Sequence, residues 1–321
     1  MKRQPLRSAD LLQVCRGFLM GGADIIPGVS GGTMALILGI YERLVTAISH
    51  VDTELVDLVR RRHWLDAAAH VDLRFLVTLG TGILLGIASL ATLMTYLIDH
   101  HPQPTLAVFF GLIVASSLLV ARMVEHWNAF NVALAVIGVI FAYWLVGQPI
   151  SEGVDGYGYL FLCGIVAICA MILPGISGAF ILLIMGKYFD VTGIITELVH
   201  GNVTGEHVLT LAVFACGCVV GLLSFSKVLR WLLSRHHAAT MAVLGGFMVG
   251  SLRRLWPFKD LPPDQAVIDF KHQQYANVLP TRLDGTFWLV VALIVAAIVF
   301  VLLLDRFSRS RQDETGRKTD A

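Results

Sequence analysis

Charge is scarce in this chain. Asp, Glu, Lys and Arg together make up 15% of its 321 residues, against about 25% in soluble domains. Residues of the Ala/Val/Ile/Leu/Met/Phe/Trp/Tyr/Cys set make up 56%, and the mean hydropathy is +0.74. A globular fold of this composition would run out of polar residues to cover its surface. Cysteine is also sparse: Cys15, Cys163, Cys169, Cys216 and Cys218 all lie in apolar stretches without CxxC spacing, which excludes a disulfide framework or a thiolate metal site. No HExxH, Walker loop or nucleophile elbow occurs. No His-x-x-x-His pair falls in an apolar run, so no metal or other cofactor is expected and the chain does not read as an enzyme. Lys+Arg exceed Asp+Glu by one, so bulk charge points to no nucleic acid. What the chain does have is apolar runs of 15–25 residues, without the two-residue alternation of an outer-membrane barrel. The reading is an all-α integral membrane protein.

Ten apolar runs divide five and five. PGVSGGTMALILGIY (Pro27–Tyr41) aligns with PGISGAFILLIMGKY (Pro174–Tyr188) at an offset of 147. Gly86–Ser116 aligns with Gly221–Ser251 at an offset of 135. The chain therefore reads as a short N-terminus (1–10), a first repeat (11–150), a second repeat (151–305) and a disordered tail (306–321). The N-terminus is basic, but Arg16 and Asp24 interrupt any signal-like apolar core, so it reads as retained. Eighteen Lys/Arg fall in regions assigned to the cytoplasm and six outside, which places both termini in the cytoplasm. Under that assignment the first two runs of each half enter and leave on one side. Limbs of about 13 residues reach only about 20 Å as helix, short of the roughly 30 Å hydrocarbon core. The expected architecture is two inverted repeats, each a re-entrant helical hairpin plus three transmembrane helices, as in secondary transporters. The basic loop after Leu252 runs against the positive-inside count.

The chemistry concentrates at the hairpin tips, GGADIIPGVSGGT (Gly21–Thr33) and ILPGISGAF (Ile172–Phe180). Pro27 and Pro174 end one limb, and Gly-x-Ser-Gly opens the next. Ser30 and Ser177 stand where helix N-caps belong. Gly28, Gly31, Gly32, Gly175 and Gly178 allow close backbone approach, and Thr33 adds a hydroxyl. Free N–H groups at such a tip suit a phosphate or carboxylate. The competing reading is that PGxSG packs small residues tightly between membrane helices. Among the charges, Arg16 either balances an anion or reaches back to the cytoplasmic interface. Asp24 either carries a coupling proton or caps the tip. Lys187, Arg253 and Arg254 lie on the proposed outer side, as head-group contacts or as a solvated rim. Glu42–Arg43 reads as a surface pair.

GGADIIPGVSGGTMALILGIYERL, AMILPGISGAFILLIMGKY and GSLRRLWPFK together resemble the bacterial polyprenyl-phosphate transporter family, over residues 11–305. The resemblance implies a translocase that returns undecaprenyl phosphate, the lipid carrier of cell-wall synthesis, from the outer to the inner leaflet of the cytoplasmic membrane. It implies roles for Ala23–Asp24, Pro27–Thr33 and Pro174–Gly178. Ala179 and Lys187 depart from the residues more usual there. With this substrate, coupling to inward protons or sodium is expected, the lipid bilayer is the other partner, and a homo-oligomer is compatible with the sequence. The other readings are a transporter of a different small anion and a membrane-embedded lipid-phosphate enzyme.

Overall fold

The computed structural model describes residues 8–25, 30–151, 153–260, 276–280 and 283–319. The first half comprises α1 (Ser8–Asp24), α2 (Gly31–Ile37), α3 (Tyr41–Ser49), α4 (Thr53–Arg60), α5 (Trp64–His70), α6 (Leu73–His100), α7 (Pro102–Arg122) and α8 (Ala129–Leu145). The second comprises α9 (Tyr157–Ile172), α10 (Gly178–Ile184), α11 (Tyr188–Val199), α12 (Gly205–Arg235), α13 (His237–Leu255) and α14 (Gly285–Thr319). Between α13 and α14, β1 (Lys259–Asp260) pairs antiparallel with β2 (Ala276–Asn277).

The helical, multi-pass reading stands, the two-residue β1–β2 pair aside. Helices α6, α7, α12 and α14 are long and apolar enough to cross a membrane, and α10 with α11 would make a fifth span if counted as one. Of the six full crossings expected, α8 has 17 residues and α13 has 19 but ends in Arg253 and Arg254; neither meets the length-and-composition criterion met by the other four. The second limb of each hairpin differs from expectation. Each 13-residue apolar run is not one helix but a seven-residue helix, a break, and a new helix starting at Tyr41 or Tyr188. The break falls at Gly39 (φ 66°) and Gly186 (φ 70°), where a left-handed residue closes the short helix. Helices α10 and α11 turn by 113° there. The short helices α4 and α5 were not foreseen, and α14 runs on into the charged stretch read from composition as a tail.

Glycine sets how the long helices cross. A Cβ on Gly17 would lie 2.1 Å from the Leu79 carbonyl oxygen, and one on Gly82 would lie 2.1 Å from that of Val14. Gly21 and Gly86 repeat the arrangement one turn on, against Ile83 and Phe18. This is small-xxx-small packing on both partners. The crossing of α9 with α12 is built alike: a Cβ on Gly164 would lie 2.5 Å from the Phe214 carbonyl oxygen and one on Gly217 2.2 Å from that of Phe161. Gly17 and Gly164 are related by the offset of 147, and Gly82 and Gly217 by 135. The duplication seen in the sequence therefore recurs in the contacts. At the seam between halves, Gly111 of α7 packs on Ile294 of α14, and its repeat mate Gly246 of α13 packs on Ala135 of α8.

Side-chain contacts sort the helix ends into two faces. On one, Asp10 at the start of α1 pairs with Arg74 at the start of α6, Arg43 with Asp72 at 2.7 Å, and His237 with Glu42 at 3.0 Å. Arg230 of α12 reaches Ser49 at 3.3 Å. The residues Glu42 and Arg43, read as a pair, thus each take a different partner. The other face gathers the ends of α8 and α13, the starts of α7 and α14, and the β hairpin.

Gly82→Val should force α1 from α6 and destabilise the protein by about 1–3 kcal/mol or more, the cost of overpacking. Gly80, two residues away with nothing near its missing Cβ, supplies the control. Gly80→Ala should be neutral or stabilise by up to about 1 kcal/mol. Thermal unfolding of the two variants in detergent micelles tests the contrast.

Candidate functional site

The two tips are in direct contact. At the first, Ser30 has extended backbone (φ −123°, ψ 150°) and its Oγ accepts from the Thr33 N–H at 3.3 Å, capping α2. Asp24, at the end of α1, accepts a short hydrogen bond from the Gly31 N–H. A Cβ on Gly31 would sit 2.8 Å from the Asp24 carboxylate, so glycine is what admits it. A carboxylate is thus already seated on the first free amide of α2. Pro27 and Gly28 lie outside the described residues.

At the second tip, Ser177 caps α10, accepting from the Phe180 N–H at 3.5 Å. Gly175 adopts φ +83°, and a Cβ there would lie 2.9 Å from Met248 Cα on α13. Both the backbone angle and the packing demand glycine.

Two hydrogen bonds join the tips across the halves. The Gly175 N–H donates to Thr33 Oγ1 at 2.8 Å, and Ser30 Oγ donates to the Leu173 carbonyl at 3.3 Å. The two hydroxyl oxygens are 3.1 Å apart. Ser30 has one proton, and its bond to Leu173 uses it, so Thr33 donates to Ser30. The result is a directed chain: Gly175 N–H to Thr33, Thr33 to Ser30, Ser30 to the Leu173 carbonyl. Ser30 is 2% exposed and Thr33 0%, so water replaces none of these partners. Gly32 completes the contact: its Cβ would be 2.4 Å from the Ile172 carbonyl oxygen. A Cβ on Gly178 would lie 2.5 Å from the Ala167 carbonyl oxygen of α9.

The basic residues singled out in the sequence lie away from this contact. Arg16 precedes Asp24 by eight residues, about 12 Å along the helix, and donates to Gln13 Oε1 at 3.4 Å. Lys187, at the α10–α11 break, is buried between Asp155 (3.0 Å) and Asp190 (2.7 Å), so its charge is matched by carboxylates. Arg254 stacks over Phe180, 4.8 Å from the ring centre, which puts its guanidinium beside α10. Arg253 instead covers the Tyr143 ring at 4.4 Å. In the β hairpin, burial pushes the Lys259 ammonium down to about 7, and the neighbouring Arg254 adds to the effect.

Sequence reasoning passed over Tyr41. It is 2% exposed, and its hydroxyl has no hydrogen-bond partner among the described residues. The matched pair Tyr41/Tyr188 in the repeat was the available signal. A group of metal-ligand types also occurs outside the membrane runs: Asp52, Glu54 and His70 bring ligand atoms within 4.8 Å of one another. Asp52 Oδ1 there caps α4 through the Leu55 N–H and bonds His70, which accounts for the arrangement without an ion.

A family model described as undecaprenyl phosphate translocase-like matches residues 20–269. A polyprenyl-phosphate transporter of Vibrio cholerae serotype O1 is 39% identical over 245 residues, covering 76% of this chain and 77% of the relative. A polyprenyl-phosphate transporter of Staphylococcus aureus is 33% identical over 258 residues, covering 77% of this chain and 86% of the relative. No solved structure matches.

Thr33→Val keeps the shape of the side chain but leaves the Gly175 N–H buried without an acceptor. It should cost about 1–3 kcal/mol, whereas Thr33→Ser, which retains the oxygen, should cost less than half as much. Unfolding midpoints of the purified variants distinguish a hydrogen-bonded tip contact from mere packing, for which Val would be the better substitute.

Proposed function

The chain belongs to the undecaprenyl phosphate translocase-like family, and on that premise we propose that it carries a polyprenyl phosphate across the bacterial cytoplasmic membrane. The direction is from the outer to the inner leaflet, returning the carrier for peptidoglycan and other cell-wall synthesis. The two halves act as inverted repeats, and their tips alternate in opening. The reading of both termini as cytoplasmic is supported by the basic face that gathers Arg43, Arg74 and Arg230.

The observation that carries this reading is the hydrogen-bonded contact of the tips. Irregular backbone at membrane depth persists only where it is buried or lines a cavity. Here it is buried, and each tip satisfies the other. The groups that join them are the ones a monophosphate would use: the Ser30 and Thr33 hydroxyls and the Gly175 N–H. Head-group binding and tip contact therefore compete. A phosphate enters by replacing Leu173 and Thr33 as partners, and the contact closes again when it leaves. The chain of apolar isoprene units remains in lipid throughout.

Asp24 supplies the coupling. Its carboxylate on Gly31 is an internal anion in the position a phosphate would take, so the two repel. Protonating Asp24 removes that repulsion. Carrying an anion inward works against the membrane potential at about 2.3 kcal/mol per charge per 100 mV. A proton that enters with the lipid offsets one charge. Arg16 balances the head group on the cytoplasmic side, and Arg254 on the outer side.

In vesicles of defined orientation containing undecaprenyl phosphate, outer-leaflet lipid is read with a non-permeant phosphate-binding probe. The wild-type protein should clear it, and faster when a proton gradient is imposed inward. Asp24→Asn keeps an acceptor for Gly31 but cannot titrate, so its transport should lose the gradient response. Unchanged lipid exposure with wild-type protein would sink the lipid-carrier reading. A gradient response that survives Asp24→Asn would remove Asp24 as the proton carrier and leave the rest standing.

A further inference from the structure

An apolar groove of about 420 Å³ opens where α7 and α8 of the first half meet α13 of the second. Its volume falls in the range of about 300–1,000 Å³ typical of small-molecule sites. The walls are Phe110, Tyr143, Val249, Leu252 and Trp256. They are held in place before any ligand arrives. Trp256 meets Phe110 edge-on at 5.8 Å, and its Nε1 donates to the Val278 carbonyl at 2.9 Å. Tyr143 lies under the Arg253 guanidinium, which also donates through Nη1 to the Tyr143 carbonyl at 2.9 Å.

Arg253 is the one charged side chain of the groove. Among the described residues it has no acidic partner. A guanidinium has five N–H donors, and the single bond to Tyr143 leaves most of its fork available. Charge complementarity then defines the occupant: an apolar body lying along the groove with an anionic head at Arg253. The groove shares α13 with the tip contact, where Phe247 and Met248 lie against Gly175 and Arg254 lies over Phe180.

We propose that this groove is the lateral docking site for the head-proximal isoprene units of a polyprenyl monophosphate, with the phosphate against Arg253. The proposal rests on the transport reading above and adds to it the place where the lipid waits before the tips part. Aromatic walls suit the branched, unsaturated chain, and the guanidinium fork suits the phosphate oxygens.

The test uses the full chain in phosphatidylcholine vesicles with a polyprenyl monophosphate that carries a photoreactive group near its head. Labelled positions are mapped by mass spectrometry. Labels should concentrate at residues 139–143 and 249–256 and be displaced by undecaprenyl phosphate. Phosphatidylglycerol and inorganic phosphate at the same concentration should not displace them. Arg253→Gln should reduce labelling about tenfold, the loss of one charge-assisted contact, and Arg253→Lys should reduce it less. Val249→Trp fills the groove from an exposed position and should block labelling with Arg253 intact. Label spread evenly over the helices, displacement by phosphatidylglycerol as effective as by undecaprenyl phosphate, or labelling indifferent to both Arg253→Gln and Val249→Trp would overturn the proposal. Vesicle transport by the wild-type protein separates the two ideas. Transport without groove labelling refutes the docking site alone. Groove labelling without transport refutes the carrier function and leaves the site.

Discussion

Within a bilayer a peptide group that is not in a helix has nowhere else to find a hydrogen bond, and this accounting governs the centre of the molecule. Two helix starts meet there, α2 at Ser30 and α10 at Ser177, each with amides and carbonyls outside its own helix. The solution is mutual. Thr33 takes the Gly175 amide, Ser30 supplies the Leu173 carbonyl, and the two hydroxyls are linked to each other. Asp24 takes care of Gly31. The rest of the fold can be understood as holding these groups in register: α13 presses on Gly175, α9 on Gly178, and α1 delivers Asp24.

Register at this scale needs helices that approach closely and do not slide. The glycine-to-carbonyl contacts of α1 with α6 and of α9 with α12 meet that need. They bring backbones together over two turns and use no polar side chain, which suits a solvent that gives apolar groups little reason to associate. The short helices α2 and α10, by contrast, are each bounded by a glycine break and a serine cap. Rigid crossings therefore flank short, separately capped segments, and any rearrangement falls on the segments.

Much of this was legible in the sequence. The serine caps at Ser30 and Ser177, the second PGxSG tip and the offset of 147 correspond to observed geometry, because proline, glycine and serine act on the backbone within a few residues of themselves. The 135 offset anticipated matching glycine crossings for the same reason. The breaks at Gly39 and Gly186 were missed, since an apolar run of 13 residues looks like one limb and only the left-handed glycine divides it. Lys187 read as an available cation because its partners are not both near in sequence: Asp190 is three residues on, but Asp155 comes from before α9. The separation of Glu42 from Arg43 was hidden likewise, as His237 lies on the other half of the chain. The pairing of one tip with the other depends on tertiary contact across more than 140 residues, which no local pattern encodes.

The two tips descend from the same motif yet contribute unlike atoms to their meeting. The first brings two side-chain hydroxyls; the second brings an amide and a carbonyl of the main chain. At offset 147, Thr33 faces Phe180 in the alignment and Asp24 faces Met171. Duplication here has produced a division of labour in which one copy evolves through its side chains and the other through its backbone path. The second copy's role is consequently invisible to any survey that asks what side chains do. A substitution at Leu173 alters the side chain that packs on the core but leaves the same oxygen in place, so a substitution map would report the packing and miss the hydrogen bond.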